Sequence, residues 1–226
     1  MSSDGTTEQD GAGGGAGGLA GEADAVTRRV SAVPGDGAVA CTATISRTYP
    51  TTLEDLWEAC TDAERIARWF APVSGDLRLG GRYQVEGNAG GEVTSCDPPH
   101  GYSLTWEFGD QSSVVRVELR AEGDGARLTL HHEADVPDPF WAQYGPGATG
   151  VGWDLALLGM ALHLRSGGER PAEADGFETR PEGRAFLAAA SAAWGEAAAA
   201  AGVPADEARA AAGRTRAFYT GEEQPG

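Results

Sequence analysis

Apolar and polar side chains alternate through the middle of the chain, and this pattern predicts an antiparallel sheet. Over residues 39–49, apolar and small residues alternate with Thr and Ser at a period of two, which is typical of a half-buried strand. Turn sequences such as Gly80-Gly81 and Asp97-Pro98-Pro99 separate the segments that follow. We predict further strands at residues 75–79, 81–87, 90–96, 102–109, 112–122 and 126–135.

The last three of these strands alternate most clearly. Their apolar face is predicted to lie against the core and comprises Tyr102, Leu104, Trp106, Phe108, Val115, Val117, Leu119, Leu128, Leu130 and His132. The opposite face carries charged and hydroxyl side chains, including Glu107 and His131. A sheet with one solvated face follows from this arrangement.

Apolar residues that recur with a period near 3.6 predict helices before and after the main run of strands along the chain. Two short helices are expected at residues 53–60 and at about 62–70, and a longer helix at 149–165. The long helix has two apolar faces, so both must be covered. Asp154 lies on a seam between them, where we expect it to pair with a nearby arginine such as Arg165. The preceding segment PDPFWAQYGPG is expected to be a connection that carries proline and aromatic residues.

Composition divides the chain into segments. The Gly-rich start has few large apolar residues and is predicted to be disordered, whereas the end is rich in Ala and predicts a helical hairpin packed on the main domain. Phe186, Leu187 and Trp194 are its expected anchors on the long helix. The predicted division is a disordered leader at 1–37, the main domain at 38–167, a linker at 168–181, the hairpin at 182–221 and a disordered tail at 222–226.

Charge and cysteine content exclude several classes of protein. Acidic residues outnumber basic ones 34 to 17, so the net charge of −17 repels nucleic-acid phosphates and anionic membranes. No lysine is present to form a Schiff base. Cys41, Cys60 and Cys96 have no metal-binding spacing and are expected to be small core residues. We expect a cytoplasmic protein that binds neither nucleic acid nor membrane. The sequence gives no indication of the oligomeric state.

An ordered series of motifs over residues 40–166 resembles the SRPBCC (START-like) superfamily, in the branch named for homologues of the activator of heat-shock-protein-90 ATPase. The motifs are PTTLEDLWEACTDAERIARWF, GGRYQV, GEVTSCDPPHGYSLTWEF, VVRVELRAEGDGARLTLHHEAD and GWDLALLGMAL. The resemblance implies an α+β helix-grip fold, in which a curved antiparallel sheet wraps around a long C-terminal helix and leaves a cavity. It also implies that the helix presents Trp153, Leu157, Met160 and Leu164 to that cavity.

Candidate catalytic and metal-binding groups are few. His131 and His132 are adjacent on a predicted strand, so they point to opposite faces and are not expected to share a metal ion. No nucleophile, paired-carboxylate or phosphate-binding motif is apparent. We therefore predict no catalytic residue, no cofactor and no metal site. His132 is expected to be a satisfied histidine in the core or at the edge of the cavity, and the alternative is that it forms a hydrogen bond with a ligand or a buried water.

Aromatic residues from several elements are expected to converge on the cavity, which is how apolar pockets are lined. The predicted lining is Trp69, Phe70, Trp106, Phe108, Val117, Leu130, His132, Trp141, Trp153, Leu157 and Met160. The space should measure at least about 300 Å³. The leading interpretation is non-catalytic binding of a small apolar or aromatic molecule. The alternatives are a protein-interaction or co-chaperone-like module that binds a chaperone or regulatory protein, and a cyclase- or hydrolyase-type enzyme that uses His132.

Overall fold

The computed structural model describes residues 19–167 and 176–222. Its strands are β1 (Thr27–Pro34), β2 (Ala38–Tyr49), β3 (Val73–Gly75), β4 (Arg82–Val85), β5 (Gly90–Asp97), β6 (Gly101–Phe108), β7 (Gln111–Glu122) and β8 (Gly125–Pro137). Its helices are α1 (Leu53–Thr61), α2 (Ala63–Trp69), α3 (Asp138–Tyr144), α4 (Gly147–Arg165), α5 (Pro181–Ala200) and α6 (Ala205–Thr220). Short 3-10 turns lie at Leu19–Ala23 and Phe177–Thr179.

The eight strands form one antiparallel sheet in the order β1-β2-β8-β7-β6-β5-β4-β3. The chain forms β1 and β2 at one edge of the sheet, crosses by way of α1 and α2 to β3 at the other edge, and returns through the meander from β3 to β8. Helix α4 then packs beside the inner face of the sheet, where the Tyr49 hydroxyl of β2 donates to the Leu157 carbonyl at 3.1 Å. The predicted α+β helix-grip fold is confirmed.

The alternation predicted for the inner face holds in the structure. On β8, Leu128, Leu130 and His132 are buried, and on β7 Val115 and Val117 lie in register with them. His131 lies on the other face and contacts the Thr44 hydroxyl at 3.0 Å. The short strand β3 is misplaced by the sequence pattern, because it lies at Val73–Gly75 rather than at 75–79.

Part of the predicted disordered leader is ordered, which corrects that expectation. Residues 19–34 form a 3-10 turn and the edge strand β1, which pairs with β2 along its length. Backbone pairing with β2, the burial of Ala23 and Val26, and several ion pairs hold this segment. Glu22 accepts from Arg47 and from Arg165, and Arg28 pairs with Asp154. Residues 1–18 of the leader lie outside the described residues.

Most of the connecting segment PDPFWAQYGPG forms a helix, α3. Proline is tolerated in the first turn of a helix, where its missing N–H has no partner to lose. Gly145, with φ of 55°, then provides the left-handed backbone that ends α3 before α4 begins. The prolines and glycines of this segment therefore mark helix ends rather than a loop.

The C-terminal hairpin consists of α5 and α6 and packs against α4. Phe186, Leu187 and Trp194 of α5 are completely buried. The Trp194 ring lies directly over Gly150, where a Cβ atom would come within 2.3 Å of the ring. Val151 on the adjacent side of α4 is also fully buried.

Several boundaries of the predicted segments fall outside the described residues. Of the linker, 168–175 lie outside them, and the remainder holds the 3-10 turn at Phe177–Thr179 and the start of α5. Most of the predicted tail, 223–226, also lies outside them. Among the described helices, none has the length and apolar character needed to cross a membrane.

Candidate ligand-binding site

An apolar cavity of about 140 Å³ lies between the inner face of the sheet, α1, α2 and α4. We call it the inner cavity. It extends from the side chains of β7 and β8 at its base to the strands β3–β5 at its edge. Its lining comprises Cys60, Thr61, Ile66, Trp69, Phe70, Val73, Leu77, Tyr83, Val85, Val93, Cys96, Tyr102, Leu104, Trp106, Val115, Val117, Leu128, Leu130, Trp153, Ala156 and Leu157.

Three of the four tryptophans expected at the cavity border it, Trp69, Trp106 and Trp153, but the space is smaller than the predicted 300 Å³. Aromatic side chains occupy part of the volume between the sheet and α4. The partly exposed Leu77 and the exposed Cys96 lie at the rim, so the cavity is closest to solvent at the β3–β5 side. The exposure of Cys96 also corrects the expectation that all three cysteines are core residues.

Two polar groups close to the inner cavity, on Tyr83 and Trp69, form hydrogen bonds within the protein. The Tyr83 hydroxyl donates to the Thr105 carbonyl at 2.6 Å, and the Trp69 indole donates to the Ala59 carbonyl at 2.9 Å. Burial raises the pKa of the Cys60 thiol to about 12, so this thiol is neutral. The inner cavity therefore offers mainly apolar contact to a ligand.

Three aromatic rings form one wall of the inner cavity, which we call the aromatic wall: Phe70, Trp106 and Trp153. The rings of Phe70 and Trp153 stack with centroids 6.4 Å apart, and those of Trp106 and Trp153 are 5.1 Å apart. The ring centroids of Trp69 and Phe70 are 5.6 Å apart, so Trp69 extends this series of contacts. Trp153 is thus the central member of the wall, held by a ring on each side.

Beyond the aromatic wall lies a second, larger space of about 570 Å³, which we call the outer groove. It shares Phe70, Trp106 and Trp153 with the inner cavity. Its other borders come from the β6–β7 turn, the end of β8, and the helices α3, α4 and α6. They are Asn88, Phe108, Gln111, Ser112, Ser113, His132, Ala134, Asp135, Val136, Pro137, Phe140, Ala148, Thr149, Gly152 and Tyr219.

His132 connects the aromatic wall to the sheet by a directed series of hydrogen bonds. The Trp153 indole donates to His132 Nδ1 at 3.0 Å, so the ring proton is on Nε2, which donates to the Ser113 hydroxyl at 2.7 Å. That hydroxyl donates to the Trp106 carbonyl at 3.1 Å. Burial lowers the pKa of His132 to about 4, which keeps the imidazole neutral.

The structure brings most of the predicted site residues to one of the two spaces. The inner cavity is bordered by Trp69, Val117, Leu130 and Leu157, the outer groove by Phe108 and His132, and both spaces by Phe70, Trp106 and Trp153. Phe108 is 60% exposed at the end of β6, so it belongs to the rim rather than to an interior.

Trp141 and Met160 border neither space, which corrects their assignment. In α3, successive residues are rotated by about 100° around the helix axis, so Phe140 and Trp141 point in different directions. Phe140 borders the outer groove. Trp141 lies against the hairpin, where it borders a cleft of about 40 Å³ together with Trp194. Met160 is buried in the core, because α2 packs directly on α4 at the preceding residue, Gly159. Leu164, one turn further along α4, is likewise absent from the lining.

Sequence reasoning missed the contribution of α1 and of the edge strands β3–β5. Tyr83, Val85 and Val93 alternate with polar residues, and this signal could have placed them on the inner face. Tyr102 and Leu104 were assigned to that face but not to the cavity. Rim residues such as Leu77 and Cys96 carry no comparable pattern.

The acidic residue that the sequence placed on the long helix, Asp154, is engaged in bonds within the protein. Asp154 is fully buried and accepts from Arg28 at 2.5 Å and from the Trp194 indole at 2.7 Å. Burial raises the pKa of Asp154, and its bonds to Arg28 and Trp194 oppose the rise. The predicted partner, Arg165, is eleven residues along α4, about 16 Å away at 1.5 Å per residue. Among the described residues, no cluster of three histidine, cysteine or acidic side chains could hold a metal ion.

Comparison with known proteins identifies similar chains. The model of the family Activator of Hsp90 ATPase homolog 1-like protein matches residues 50–164. The solution structure of CalU16 from Micromonospora echinospora is 28% identical, with 78% of this chain and 97% of that chain covered and a TM-score of 0.63. The comparison with curated proteins found no match.

Two crystal structures are also similar. That of CalU16 from Micromonospora echinospora is 32% identical over 61% of this chain and 85% of that chain, with a TM-score of 0.53. That of MLL2253 from Mesorhizobium loti is 24% identical over 55% of this chain and 97% of that chain, with a TM-score of 0.50, and it supports the fold alone.

Proposed function

This chain belongs to the Activator of Hsp90 ATPase homolog 1-like family, and we propose that it binds a small apolar molecule in the inner cavity without catalysing a reaction. The observation that carries this proposal is an apolar cavity whose described lining contains no charged side chain. The transfer of an apolar molecule from water into an apolar cavity is favourable, because apolar surface is removed from water and van der Waals contacts form with the walls.

The volume of the inner cavity limits the size of the ligand. In another protein, an apolar cavity of about 150 Å³ stays dry and binds benzene. The inner cavity, at about 140 Å³, is of the same size. The proposed ligand is therefore a molecule of about one aromatic ring, or the corresponding part of a larger molecule.

The paired state of His132 favours binding over catalysis. Both ring nitrogens take part in hydrogen bonds with protein groups, and the low pKa keeps the ring unprotonated near neutrality. A general acid or base needs a pKa near the working pH and a free path to the substrate. His132 meets neither condition in this arrangement.

Titration with toluene, followed by isothermal calorimetry, tests the proposal. Val117→Phe fills the inner cavity from β7 and should weaken toluene binding at least about tenfold, or 1.4 kcal/mol. Val114→Phe is the matched control, because Val114 lies on the same strand but is 41% exposed on the other face. Equal toluene affinity in a correctly folded Val117→Phe protein, or no binding to the wild type, would refute the proposal.

The alternative of a protein-interaction or co-chaperone-like module makes a different prediction for the same preparation. Native mass spectrometry of the chain purified from its own host should detect a co-purifying small molecule if the binding proposal is correct. A stoichiometric chaperone bound to a chain without small-molecule mass would instead support the interaction module.

A further inference from the structure

The outer groove has the dimensions of a ligand site in its own right. Sites for drug-sized molecules measure roughly 300–1,000 Å³. The outer groove, at about 570 Å³, falls in this range, whereas the inner cavity, at about 140 Å³, does not. Any ligand larger than a single ring therefore requires the groove.

The chemistry of the groove selects uncharged aromatic molecules. Its walls include six aromatic side chains. Two of these, Phe108 and Phe140, are 60% and 42% exposed, so their rings are accessible to a ligand. Among the described residues that border it, only Asp135 carries a formal charge, and strand alternation turns Asp135 to the face opposite His132. No arginine is present there to bind a carboxylate or a phosphate.

Neutral polar groups are distributed among the aromatic walls. Gln111, Ser112 and Thr149 border the groove and carry amide or hydroxyl groups. They can exchange hydrogen bonds with a ligand hydroxyl or carbonyl. A ligand with a flat ring system and a few uncharged polar substituents matches this combination of surfaces.

Trp153 separates the groove from the inner cavity and borders both. Its indole is held by ring contacts with Phe70 and Trp106 and by the hydrogen bond to His132. Phe70 and Trp106 also border both spaces, and Trp153 lies between these two rings, so we expect removal of its side chain to open a connection between the spaces. Trp153 is therefore positioned to set the size of molecule that each space accepts.

We propose that the outer groove binds an uncharged multi-ring aromatic molecule with hydroxyl or carbonyl substituents, and that Trp153 divides it from the inner cavity as the specificity-determining residue. The inference rests on the proposed function in treating the inner cavity as the single-ring chamber of the same site. The groove itself is bordered by different residues and can be tested separately.

Phenanthrol is a suitable probe for the groove, with toluene as the probe for the inner cavity. Ala134→Phe narrows the groove from β8 and should weaken phenanthrol binding at least tenfold, while toluene affinity stays within twofold. Ala148→Phe, on α4, blocks the groove independently should Ala134→Phe fail to fold. Ala121→Phe is the matched control on an exposed position of β7. Phenanthrene carboxylate should bind at least tenfold more weakly than phenanthrol.

Competition between the two probes tests the role of Trp153. In the wild type, saturation with toluene should change the phenanthrol Kd less than twofold, because the two molecules occupy different spaces. In Trp153→Ala, or in the more conservative Trp153→Leu, phenanthrol should enter both spaces and toluene should compete with it.

The outcomes separate this inference from the proposed function. Competition in the wild type, or phenanthrol binding that is unaffected by both blocking variants, would overturn the groove proposal. Absence of phenanthrol binding would also overturn it, while toluene binding that Val117→Phe abolishes would leave the proposed function intact. Phenanthrol binding without toluene binding would instead refute the inner-cavity proposal.

Discussion

The indole nitrogen of Trp153 donates a hydrogen bond to Nδ1 of His132, and 3.0 Å separates the two atoms. This bond exists only while His132 Nδ1 carries no proton. A hydrogen bond that holds the aromatic wall therefore depends on the protonation state of one buried histidine. The position of His132 opposite Val115 on β7 places this coupling between the sheet and α4.

Protonation of His132 should therefore destabilise the protein at low pH. Its pKa is about 4 in the folded state, below the ordinary value of 6.5, so the unfolded chain binds more protons between these values. Stability is unaffected above pH 6.5 and falls as the pH drops towards 4, by about 2 kcal/mol near pH 5. Urea denaturation at several pH values measures this loss, and His132→Gln should remove it. An equal pH dependence in both proteins would contradict the assignment.

Ligand affinity should depend little on the titration of His132. In His132→Gln, the amide can accept from Trp153 and donate to Ser113, so it retains both hydrogen bonds. Toluene affinity, measured by calorimetry, should remain within about tenfold, or 1.4 kcal/mol. His131→Gln, on the opposite face of β8, should leave it unchanged. If a substrate is found and His132→Gln lowers kcat about a hundredfold, the cyclase- or hydrolyase-type interpretation is supported instead.

Removal of the Asp154 charge should strongly destabilise the fold. Arg28 is almost completely buried, and Asp154→Asn leaves its charge without a counter-ion. We expect the free energy of unfolding to fall by about 3–5 kcal/mol, measured by urea denaturation. The exposed Asp135→Asn is the control and should change it by less than about 0.5 kcal/mol.

A double variant tests whether the loss comes from the unpaired charge. Arg28→Met with Asp154→Leu removes both charges and should recover most of the stability lost in Asp154→Asn. A double variant that is as unstable as the single one would show that the packing of these positions, rather than the charge, is decisive.

Close packing of α2 on α4 should make Gly159 sensitive to a single methyl group. A Cβ atom at Gly159 would come within 2.3 Å of the Trp69 carbonyl oxygen, so α2 must shift in Gly159→Ala. The cost should be about 1–3 kcal/mol, and thermal denaturation would measure it. Gly213→Ala in α6 is the matched control, because a Cβ there meets nothing within 4 Å. It should stabilise the protein by about 0.5–1 kcal/mol.

Deletion of residues 170–226 should expose one side of α4. Trp194 packs over Gly150, and the Trp194 indole satisfies an oxygen of Asp154. The uncovered surface should promote dimerisation or aggregation, which size-exclusion chromatography can detect. A truncated chain that stays monomeric and equally stable would show that the hairpin is not needed as a cover.

The parts of the fold that the sequence predicted are those with a regular local pattern. Strands β6 to β8 alternate over many residues, so their inner face, with Trp106, Leu130 and His132, could be assigned before the structure was known. The family resemblance supplied their arrangement around α4. The same alternation supplied Trp106 of the aromatic wall, whereas Phe70 follows α2 and Trp153 lies on α4.

The parts that were missed depend on contacts between distant residues. Strand β1 has few large apolar residues, and Arg28 reads as a solvated side chain until Asp154, 126 positions later, is placed beside it. Trp141 was misplaced for a different reason, because its segment was interpreted only as a connection, whereas the helical rotation of α3 turns Trp141 towards the hairpin. The division of the cavity by Trp153 depends on side-chain packing that no sequence period encodes.

The strand order also has a consequence for the route by which the chain folds. Strands β1 and β2 are neighbours in sequence, but β2 pairs on its other edge with β8, where Ala38 faces Pro137 and Tyr49 faces Ala126. At about 5–20 residues per second, a ribosome needs on the order of ten seconds to make the intervening chain. During that time an early hairpin of β1 and β2 keeps an unpaired edge, which can join strands of other molecules. Dependence on chaperones during synthesis should therefore be greatest before β8 and α4 emerge.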